Sequence, residues 1–374
     1  MEIILIGIAL FLAFGNGAND NFKGFATVWG CGLLDYRRAL VLATLATVAG
    51  SLVSLLLAQT LVAQFTGRGL VPDAVAAAPS FMLHAGAGAA LTIFAATRAG
   101  LPVSTTHALI GGLIGAGLAE PGGEMRYGAL ASLFLLPLLM SPLLAAALGT
   151  LASRAMRLRP ANCATRDCAC LIAPAPDFVA QGDGRLALAS TAVSSAPTLV
   201  IAADAQCRRQ PGLIARLALP DLGDRAHILS AAAICFARGV NDTPKLAALL
   251  LAGQIMEAGA AVFAIAAVMA AGGIIYARRV AETMSRRVTR LDNGQGLAAN
   301  LITALLVLLA SKFGLPVSTT HVSVGAIAGV GAAAGTLDRT TVRNIALAWI
   351  ITLPMAAAVA WLAANLFVSL ITLA

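Results

Sequence analysis

The chain has 374 residues, of which 59% are hydrophobic and 11% are charged, with a formal net charge of +8 and a mean hydropathy of +0.87. An ordinary soluble domain carries about 25% charged residues, so this composition excludes the common soluble classes and predicts a polytopic membrane protein. Basic loops on one membrane face account for the positive charge, and we expect no nucleic-acid partner.

Apolar segments fall into two groups on either side of a polar stretch. A spanning helix needs about 20 mostly apolar residues. The predicted fold is all-α and polytopic, with about 10 to 12 membrane segments, some of them broken or re-entrant. We divide the chain into a first membrane repeat (1–153), a polar insert (154–225) and a second membrane repeat (226–374). The candidate segments are 3–34, 39–62, 80–97, 103–118 and 127–152, then 226–252, 255–276, 296–310, 317–334 and 345–373.

The first motif is Gly-x-Asn-Asp-x-x-Lys, which occurs at 17–23 and again at 239–245, each time interrupting an apolar segment. Charged side chains in a bilayer are costly and usually mark a site or a pathway. The alternative is that the pairs three residues apart only neutralise each other on a helix. The candidate site residues are those of the motif together with the arginine just before its second copy: Asn19, Asp20, Lys23, Arg238, Asn241, Asp242 and Lys245.

The second motif, Gly-Leu-Pro-Val-Ser-Thr-Thr-His, occurs unchanged at 100–107 and 314–321. Pro102 and Pro316 predict the first turn of a helix. Hydroxyl groups at a buried helix start favour an anion-binding site, although such side chains can also be simple caps. The candidate residues are Ser104, Thr105, Thr106, Ser318, Thr319 and Thr320, and we expect His107 and His321 to orient them from behind.

The insert carries many arginines and aspartates and two short alternating pieces, 185–189 and 198–202, that predict strands. It also holds Cys163, Cys168, Cys170 and Cys207. In a reducing compartment we do not expect a disulfide, and a zinc site is possible. Their spacing matches no standard zinc module, so free thiols are the alternative.

Loop charges predict the orientation of the chain. If each half crosses the membrane five times, the basic loops at 37–38, 98, 154–159, 278–290 and 339–343 share one side. The positive-inside rule then places the insert in the cytoplasm and both termini outside. Five is odd, so the second half runs opposite to the first. Inverted repeats with interrupted helices are typical of secondary transporters that bind substrate near the midplane.

Together, Gly-Ala-Asn-Asp at 17–20, Gly-Val-Asn-Asp at 239–242 and the duplicated Pro-Val-Ser-Thr-Thr-His resemble the signature motifs of the PiT family of inorganic phosphate transporters. The resemblance covers both membrane halves but not the insert. It implies cation-coupled phosphate import across the cytoplasmic (inner) membrane and a homodimer. It also implies that the hydroxyl triplets bind phosphate with the motif Asn and Asp residues, and that Asn19, Asp20, Asn241 and Asp242 bind the coupling cation, sodium or a proton.

Two positions depart from the family pattern. Many members have Asn where Lys23 stands, and His is common where Arg238 stands; a lysine at the position of Lys245 is familiar in some members. We therefore hypothesise that Lys23 acts as a tethered cation that replaces one coupling ion. The added charge also leaves sulfate or another oxyanion open as the substrate. A passive channel and an intramembrane enzyme are further alternatives, but the sequence has no nucleophile elbow and we expect no catalytic residue.

Overall fold

The computed structural model describes residues 1–120, 125–157, 167–173, 178–180, 186–188, 197–203, 209, 213–252 and 255–373. Its contacts divide the chain into two units. The larger, here called the membrane unit, consists of Met1–Met156 and His227–Ala374. The smaller consists of Arg157–Ala226.

The first half of the membrane unit is a series of helices with short breaks. Asp35 caps the helix that begins at Tyr36, because its side chain accepts a hydrogen bond from the Arg38 N–H at 2.9 Å. The helices are α1 (Glu2–Asp20), a 3-10 turn (Lys23–Phe25), α2 (Ala26–Gly30), α3 (Tyr36–Leu57), α4 (Gln59–Phe65), α5 (Asp73–Ala76), α6 (Pro79–Arg98), α7 (Thr105–Ala119), α8 (Tyr127–Ala129), a π-helical turn (Leu130–Leu135) and α9 (Leu136–Arg157).

The second half repeats this order with fewer breaks. Asp292 and Gln295 form a reciprocal capping box at the start of its third long helix. The helices are α10 (Leu219–Ala252), α11 (Ala258–Tyr276), α12 (Arg278–Glu282), a π-helical turn (Thr283–Arg287), α13 (Asn293–Lys312), α14 (Thr319–Ala334) and α15 (Arg339–Leu373).

Helix length and composition agree with a membrane protein. Within the described part of the chain, seven helical stretches are long and apolar enough to cross a bilayer, and two shorter apolar helices, α7 and α14, follow the duplicated Pro-Val-Ser motif. Many large apolar side chains are exposed on the outer surface, for example Leu56 at 82% and Ile3 at 84%. Such a surface suits lipid rather than water, and the predicted all-α polytopic class is confirmed.

The two halves pack against each other through equivalent glycines. A Cβ on Gly17 of α1 would lie 1.9 Å from the carbonyl oxygen of Met269 on α11. At the equivalent position of the second half, a Cβ on Gly239 of α10 would lie 2.2 Å from the carbonyl oxygen of Thr47 on α3. Small residues let membrane helices approach this closely. Each motif helix therefore packs against the second long helix of the opposite half.

A second exchange involves α7 and α14. A Cβ on Gly115 of α7 would lie 2.0 Å from the carbonyl oxygen of Ala357 on α15, and one on Gly329 of α14 would lie 2.1 Å from that of Ala146 on α9. Again each half supplies the glycine for one contact and the backbone for the other. This exchange of equivalent contacts is what a pseudo-twofold relation between the halves produces. The inversion of the halves across a bilayer stays a prediction.

The two copies of the Asn-Asp motif differ in their helices. α1 ends at Asp20 and the chain turns, as expected, whereas α10 continues through Asn241 and Asp242 with Pro244 inside it. The expected break in the second copy is therefore wrong. A Cβ on Gly24 would lie 2.6 Å from Cys235 Sγ, so the first copy needs glycine where it leaves the helical path. The second copy has Leu246 at this position.

In the smaller unit, β1 (Asp167–Ile172) lies between β4 (Thr198–Ala203) and β5 (Leu213–Ala218), antiparallel to both. β2 (Phe178–Ala180) pairs with β3 (Leu186–Leu188) as a separate antiparallel pair. β3 and β4 confirm the two strands expected from the sequence.

The cysteines of the insert only partly lie among the described residues. Cys170 is fully buried on β1 and its sulfur is in a disulfide bond, so the expectation of a reduced thiol is wrong there. Zinc binds cysteine as a thiolate, and a sulfur in a disulfide bond is not a thiolate, so Cys170 cannot be a ligand in this state. Cys163 and Cys207 lie outside the described residues, and Cys168 is described only as part of β1. The expected site of four zinc ligands therefore loses Cys170, and zinc binding by other thiols of the insert stays a prediction.

Candidate functional site

The two Ser-Thr-Thr triplets begin α7 and α14 in the same way. Ser104 and Ser318 are the N-caps, and their hydroxyls accept hydrogen bonds from the His107 and His321 N–H groups at 3.1 and 3.3 Å. Pro102 and Pro316 therefore precede the caps, and the expectation that they occupy the first turn is wrong. Each serine hydroxyl accepts a hydrogen bond from a first-turn N–H that would otherwise have no partner, so serine is the N-cap residue. The prolines lie in the segment that precedes the helix.

Lys23 links its own motif to the opposite half. Its ammonium contacts the Asp20 carboxylate, the Asn19 side-chain oxygen at 3.0 Å and the Val103 carbonyl oxygen at 3.1 Å. It also donates to Thr320 Oγ1 of the second half at 2.5 Å. Four oxygen atoms therefore surround the Lys23 ammonium.

Lys245 makes the equivalent arrangement in the other direction. Its ammonium donates to Thr106 Oγ1 of the first half at 2.9 Å and to the Val317 carbonyl oxygen at 2.8 Å. An oxygen of Asp242 lies 3.7 Å away. Each lysine thus reaches the second threonine of the opposite half's triplet and the backbone carbonyl just before the triplet of its own half.

The motif asparagines hold these oxygen groups in place. Asn19 donates to Thr97 Oγ1 at 2.9 Å and accepts from the Val103 N–H at 3.2 Å. Asn241 donates to the Val317 carbonyl oxygen at 3.2 Å and accepts from Ser311 Oγ at 3.3 Å. The asparagines therefore position the residues that the lysines contact.

Arg238 and Asn16 occupy equivalent motif positions and bind each other. A terminal nitrogen of Arg238 donates to Asn16 Oδ1 at 2.5 Å, and Arg238 Nε lies 3.5 Å from an Asp242 oxygen. The Asn16 amide donates to Thr105 Oγ1 at 2.8 Å and lies within hydrogen-bond distance of both motif aspartates, Asp20 at 3.4 Å and Asp242 at 3.3 Å. Sequence reasoning did not select Asn16. Its equivalence to Arg238 in the repeat was the signal that could have found it.

The two histidines meet behind the triplets. The His107 and His321 rings lie 4.4 Å apart, and the Trp349 ring lies 3.8 Å from His321. His107 Nδ1 lies 3.3 Å from the Trp349 carbonyl oxygen. No hydrogen bond within the described residues joins either ring to the lysines, aspartates or triplet hydroxyls, so their contacts are with each other and with α15.

The structure brings the predicted residues from both halves into one cluster, which is closed. None of the motif side chains named above is more than 5% exposed except His107. The cluster contains three cationic side chains, Lys23, Arg238 and Lys245, and two carboxylates, Asp20 and Asp242, so its formal charge exceeds neutrality by one positive unit. Two helix N-termini and several hydroxyls add neutral donors. This is the composition of a binding site for an anion.

Comparison with known proteins is consistent with this chemistry. The model of the phosphate transporter family matches residues 16–360. The chain belongs to this family. The predicted family resemblance is thereby confirmed, and the match includes all four motif copies.

Named relatives agree. An inorganic phosphate transporter of Arabidopsis thaliana, a chloroplast protein, is 30% identical over 94% of this chain and 69% of its own. A candidate phosphate permease of Pyrococcus furiosus is 27% identical, covering 96% of this chain and 93% of the relative. A solved structure titled as the sodium-dependent phosphate transporter has a TM-score of 0.76 and 22% identity, covers 99% of both chains, and supports the fold. As a member of the phosphate transporter family, the chain is a multi-pass membrane transport protein and not an enzyme.

Proposed function

We propose that the protein is a secondary carrier that imports inorganic phosphate by alternating access, with a cation as the coupling partner. The observation that carries the proposal is the crossed pair of lysine contacts, Lys23 to Thr320 and Lys245 to Thr106. Because these contacts join the halves, a ligand that takes over the threonine hydroxyls changes the contact between the halves. Substrate binding is thereby linked to their relative movement.

Phosphate is the ligand that the cluster suits. A tetrahedral oxyanion accepts hydrogen bonds on every oxygen, and the donors available are the triplet hydroxyls, the first-turn N–H groups of α7 and α14, and the Arg238 guanidinium. Arg238 Nε lies 3.5 Å from an Asp242 oxygen but makes no hydrogen bond within the described residues. A bidentate contact from its guanidinium suits phosphate. The name of the Arabidopsis relative points to the same substrate.

For the coupling ion we propose the proton rather than sodium. A small cation in a protein is usually surrounded by carboxylate, carbonyl and hydroxyl oxygens. Around Lys23 those oxygens are already engaged by an ammonium group, and around Lys245 they are engaged by a second. An ammonium carries the charge of a metal cation but is tethered, so the site keeps its positive charge without binding sodium. Charge movement then comes with a proton.

The test is uptake of labelled phosphate by the purified protein in liposomes, with an imposed sodium gradient or an imposed proton gradient. We expect the proton gradient to drive accumulation in sodium-free buffer. Strict dependence on sodium would overturn the coupling proposal but not the substrate. Competition by sulfate as strong as that by unlabelled phosphate would overturn phosphate as the preferred substrate.

Counterflow separates a carrier from a channel. Liposomes preloaded with unlabelled phosphate should accumulate labelled phosphate transiently when the protein is a carrier. A passive pore gives no such overshoot.

We further propose that the protein is a homodimer in the inner membrane with a cytoplasmic insert and both termini outside. The basic loops support this orientation, whereas the Cys170 disulfide favours an oxidising compartment. We propose the orientation that the loops predict, because five basic loops place the insert on the same side of the membrane. Proteolysis of the insert in inside-out but not in right-side-out vesicles is expected. Cross-linking in membranes should give a species of twice the chain mass.

A further inference from the structure

Away from the closed cluster around Lys23 and Lys245, here called the lysine cluster, a polar cavity lies between α2 and the π-helical turn that follows α12. Its volume is about 300 Å³, at the lower end of the range of ligand pockets. The polar residues that line it are Thr27, Cys31, Ser285, Arg286, Thr289 and Arg290. None of these residues belongs to either duplicated motif.

The cavity carries uncompensated positive charge. Within the described residues, no carboxylate lies within ion-pair distance of Arg286 or Arg290, and the Arg286 guanidinium instead lies 4.7 Å from the Trp29 ring. Nearby carboxylates are engaged elsewhere: Glu282 pairs with Arg278 at 3.2 Å, and Asp292 caps α13.

Another carboxylate, that of Asp338, lines an adjoining cavity with the same two arginines. It accepts hydrogen bonds from the Thr340 and Thr341 N–H groups at 2.9 and 3.1 Å. The bond from the Thr341 N–H, more than any other contact, holds the pKa of Asp338 below its usual range. Asp338 is therefore anionic but bound to the start of its own helix, and within the described residues the two arginines have no carboxylate in ion-pair distance.

A buried hydroxyl without a partner also lines the cavity. Ser285 is 8% exposed, and its Oγ has no hydrogen-bond partner within the described part of the chain. Such a group is costly unless a ligand or water satisfies it. By contrast, the Thr27 hydroxyl already donates to Asn300 Oδ1 at 3.0 Å, and the Thr289 hydroxyl contacts Thr336.

The first half has no counterpart of this cavity's chemistry. Thr27 corresponds to Leu249 in the repeat. The segment that joins α11 to α13, residues 277–292, has five arginines, whereas the corresponding segment 58–78 has one, Arg68. The duplicated cluster needs equivalent residues from both halves, so this unduplicated basic cavity is a separate feature.

We propose that this cavity binds a free phosphate-type oxyanion, with Arg286 and Arg290 supplying charge and the Ser285 hydroxyl supplying a hydrogen bond. Two unpaired guanidinium groups and a free hydroxyl match the acceptors of a phosphate group. The proposal stands on this cavity alone and does not depend on the coupling ion or on the carrier mechanism.

Cys31 provides a native probe, because its partly exposed thiol lines the cavity. The full-length protein in detergent is treated with an anionic or a cationic methanethiosulfonate, and modification of Cys31 is followed by peptide mass spectrometry. A cavity with focused positive charge should favour the anionic reagent by about tenfold or more. Inorganic phosphate should slow the reaction, and chloride at equal ionic strength should not.

Four variants, two in the cavity and two controls, test the residues. Arg286→Gln with Arg290→Gln should abolish both the reagent preference and the protection, and Ser285→Ala should weaken only the protection. Arg343→Gln, which removes an exposed arginine outside the cavity, should change neither. Asp242→Asn should leave the protection intact, so failure of the transport site and failure of this site are distinguishable.

Several outcomes would overturn the proposal. Equal protection of Cys31 by chloride would mean that salt only screens the positive charge of the cavity and that phosphate does not bind there. Loss of protection in Asp242→Asn means that phosphate acts through the lysine cluster. Protection by a short-chain anionic phospholipid but not by phosphate assigns the cavity to a lipid headgroup.

Discussion

The two halves of the membrane unit agree where they face each other and differ where they do not. Both place a lysine beside the aspartate of its own motif and within hydrogen-bond distance of a threonine of the opposite half. They differ in the motif helix, which is broken in the first half and continuous in the second, and in the segment before α6 and α13. The residues that a site shared by both halves needs are therefore the same in the two halves, whereas the motif helix and the connecting segments differ.

The largest effect is expected from the aspartates, and it tests whether the halves share one site. Asp20→Asn and Asp242→Asn each leave a buried lysine without its carboxylate, which costs about 3–5 kcal/mol. We expect each variant to reduce phosphate uptake in liposomes by about a hundredfold or more. Size-exclusion profiles of the purified variants control for folding. Loss in only one variant would make the other copy purely structural.

Next in size is the change in ion requirement when a lysine is removed. Lys23→Asn and Lys245→Asn each free an oxygen cluster for a metal cation. We expect sodium-free uptake to fall about tenfold and added sodium to restore part of it, within the usual range of coupling energies.

Lys312→Asn, an exposed lysine outside the cluster, is the control and should have no effect. Sodium rescue in only one of the two buried variants would show that the ammonium groups have different roles. No rescue in either would contradict the tethered-cation interpretation.

The glycine contacts offer a smaller and purely structural comparison. Gly17→Ala and Gly239→Ala place a methyl group against the backbone of the opposite half, and overpacking of this kind costs about 1–3 kcal/mol. Both should lower the thermal midpoint in detergent by similar amounts. Gly7→Ala, on the same helix with no atom within 4 Å of the added Cβ, should not. Unequal losses would mean that the two interfaces are not equivalent.

The smallest effect is expected at the caps. Ser104→Ala and Ser318→Ala each remove a hydrogen bond to the first turn of α7 or α14, worth about 1 kcal/mol. We expect a few-fold rise in the KM for phosphate in both variants and a full return to normal with Thr. A change in only one would indicate that phosphate contacts the two helix starts unequally.

Local patterns in the sequence were sufficient for the fold class and for most of the cluster. Apolar length predicted the helices, and the duplicated motifs selected residues that the structure brings together. The crossed contacts of Lys23 and Lys245 were not predictable, because they depend on packing between segments far apart in the chain. The break expected at the second Asn-Asp motif is wrong, because α10 continues through the polar motif residues and even through Pro244.

Asn16 shows the same limit at one residue. An amide near a glycine in an apolar segment has no local feature that marks it, and its importance comes from the two aspartates that tertiary packing places beside it. The helix start at Ser104 lies only a few residues from the predicted start at Pro102. Whether Ser or Pro begins the helix depends on the backbone conformation of those few residues.

The crossed lysine contacts also constrain how this protein can evolve. A threonine hydroxyl of each half accepts a hydrogen bond from the lysine of the other half, so neither half alone contains all the oxygen atoms around its ammonium group. A mutation that changes the surroundings of one lysine therefore also changes the hydroxyl triplet of the opposite half. Compensating changes must then arise in that other half. A half-length version of the chain would therefore have to pair with a second copy about a twofold axis before it could form the site.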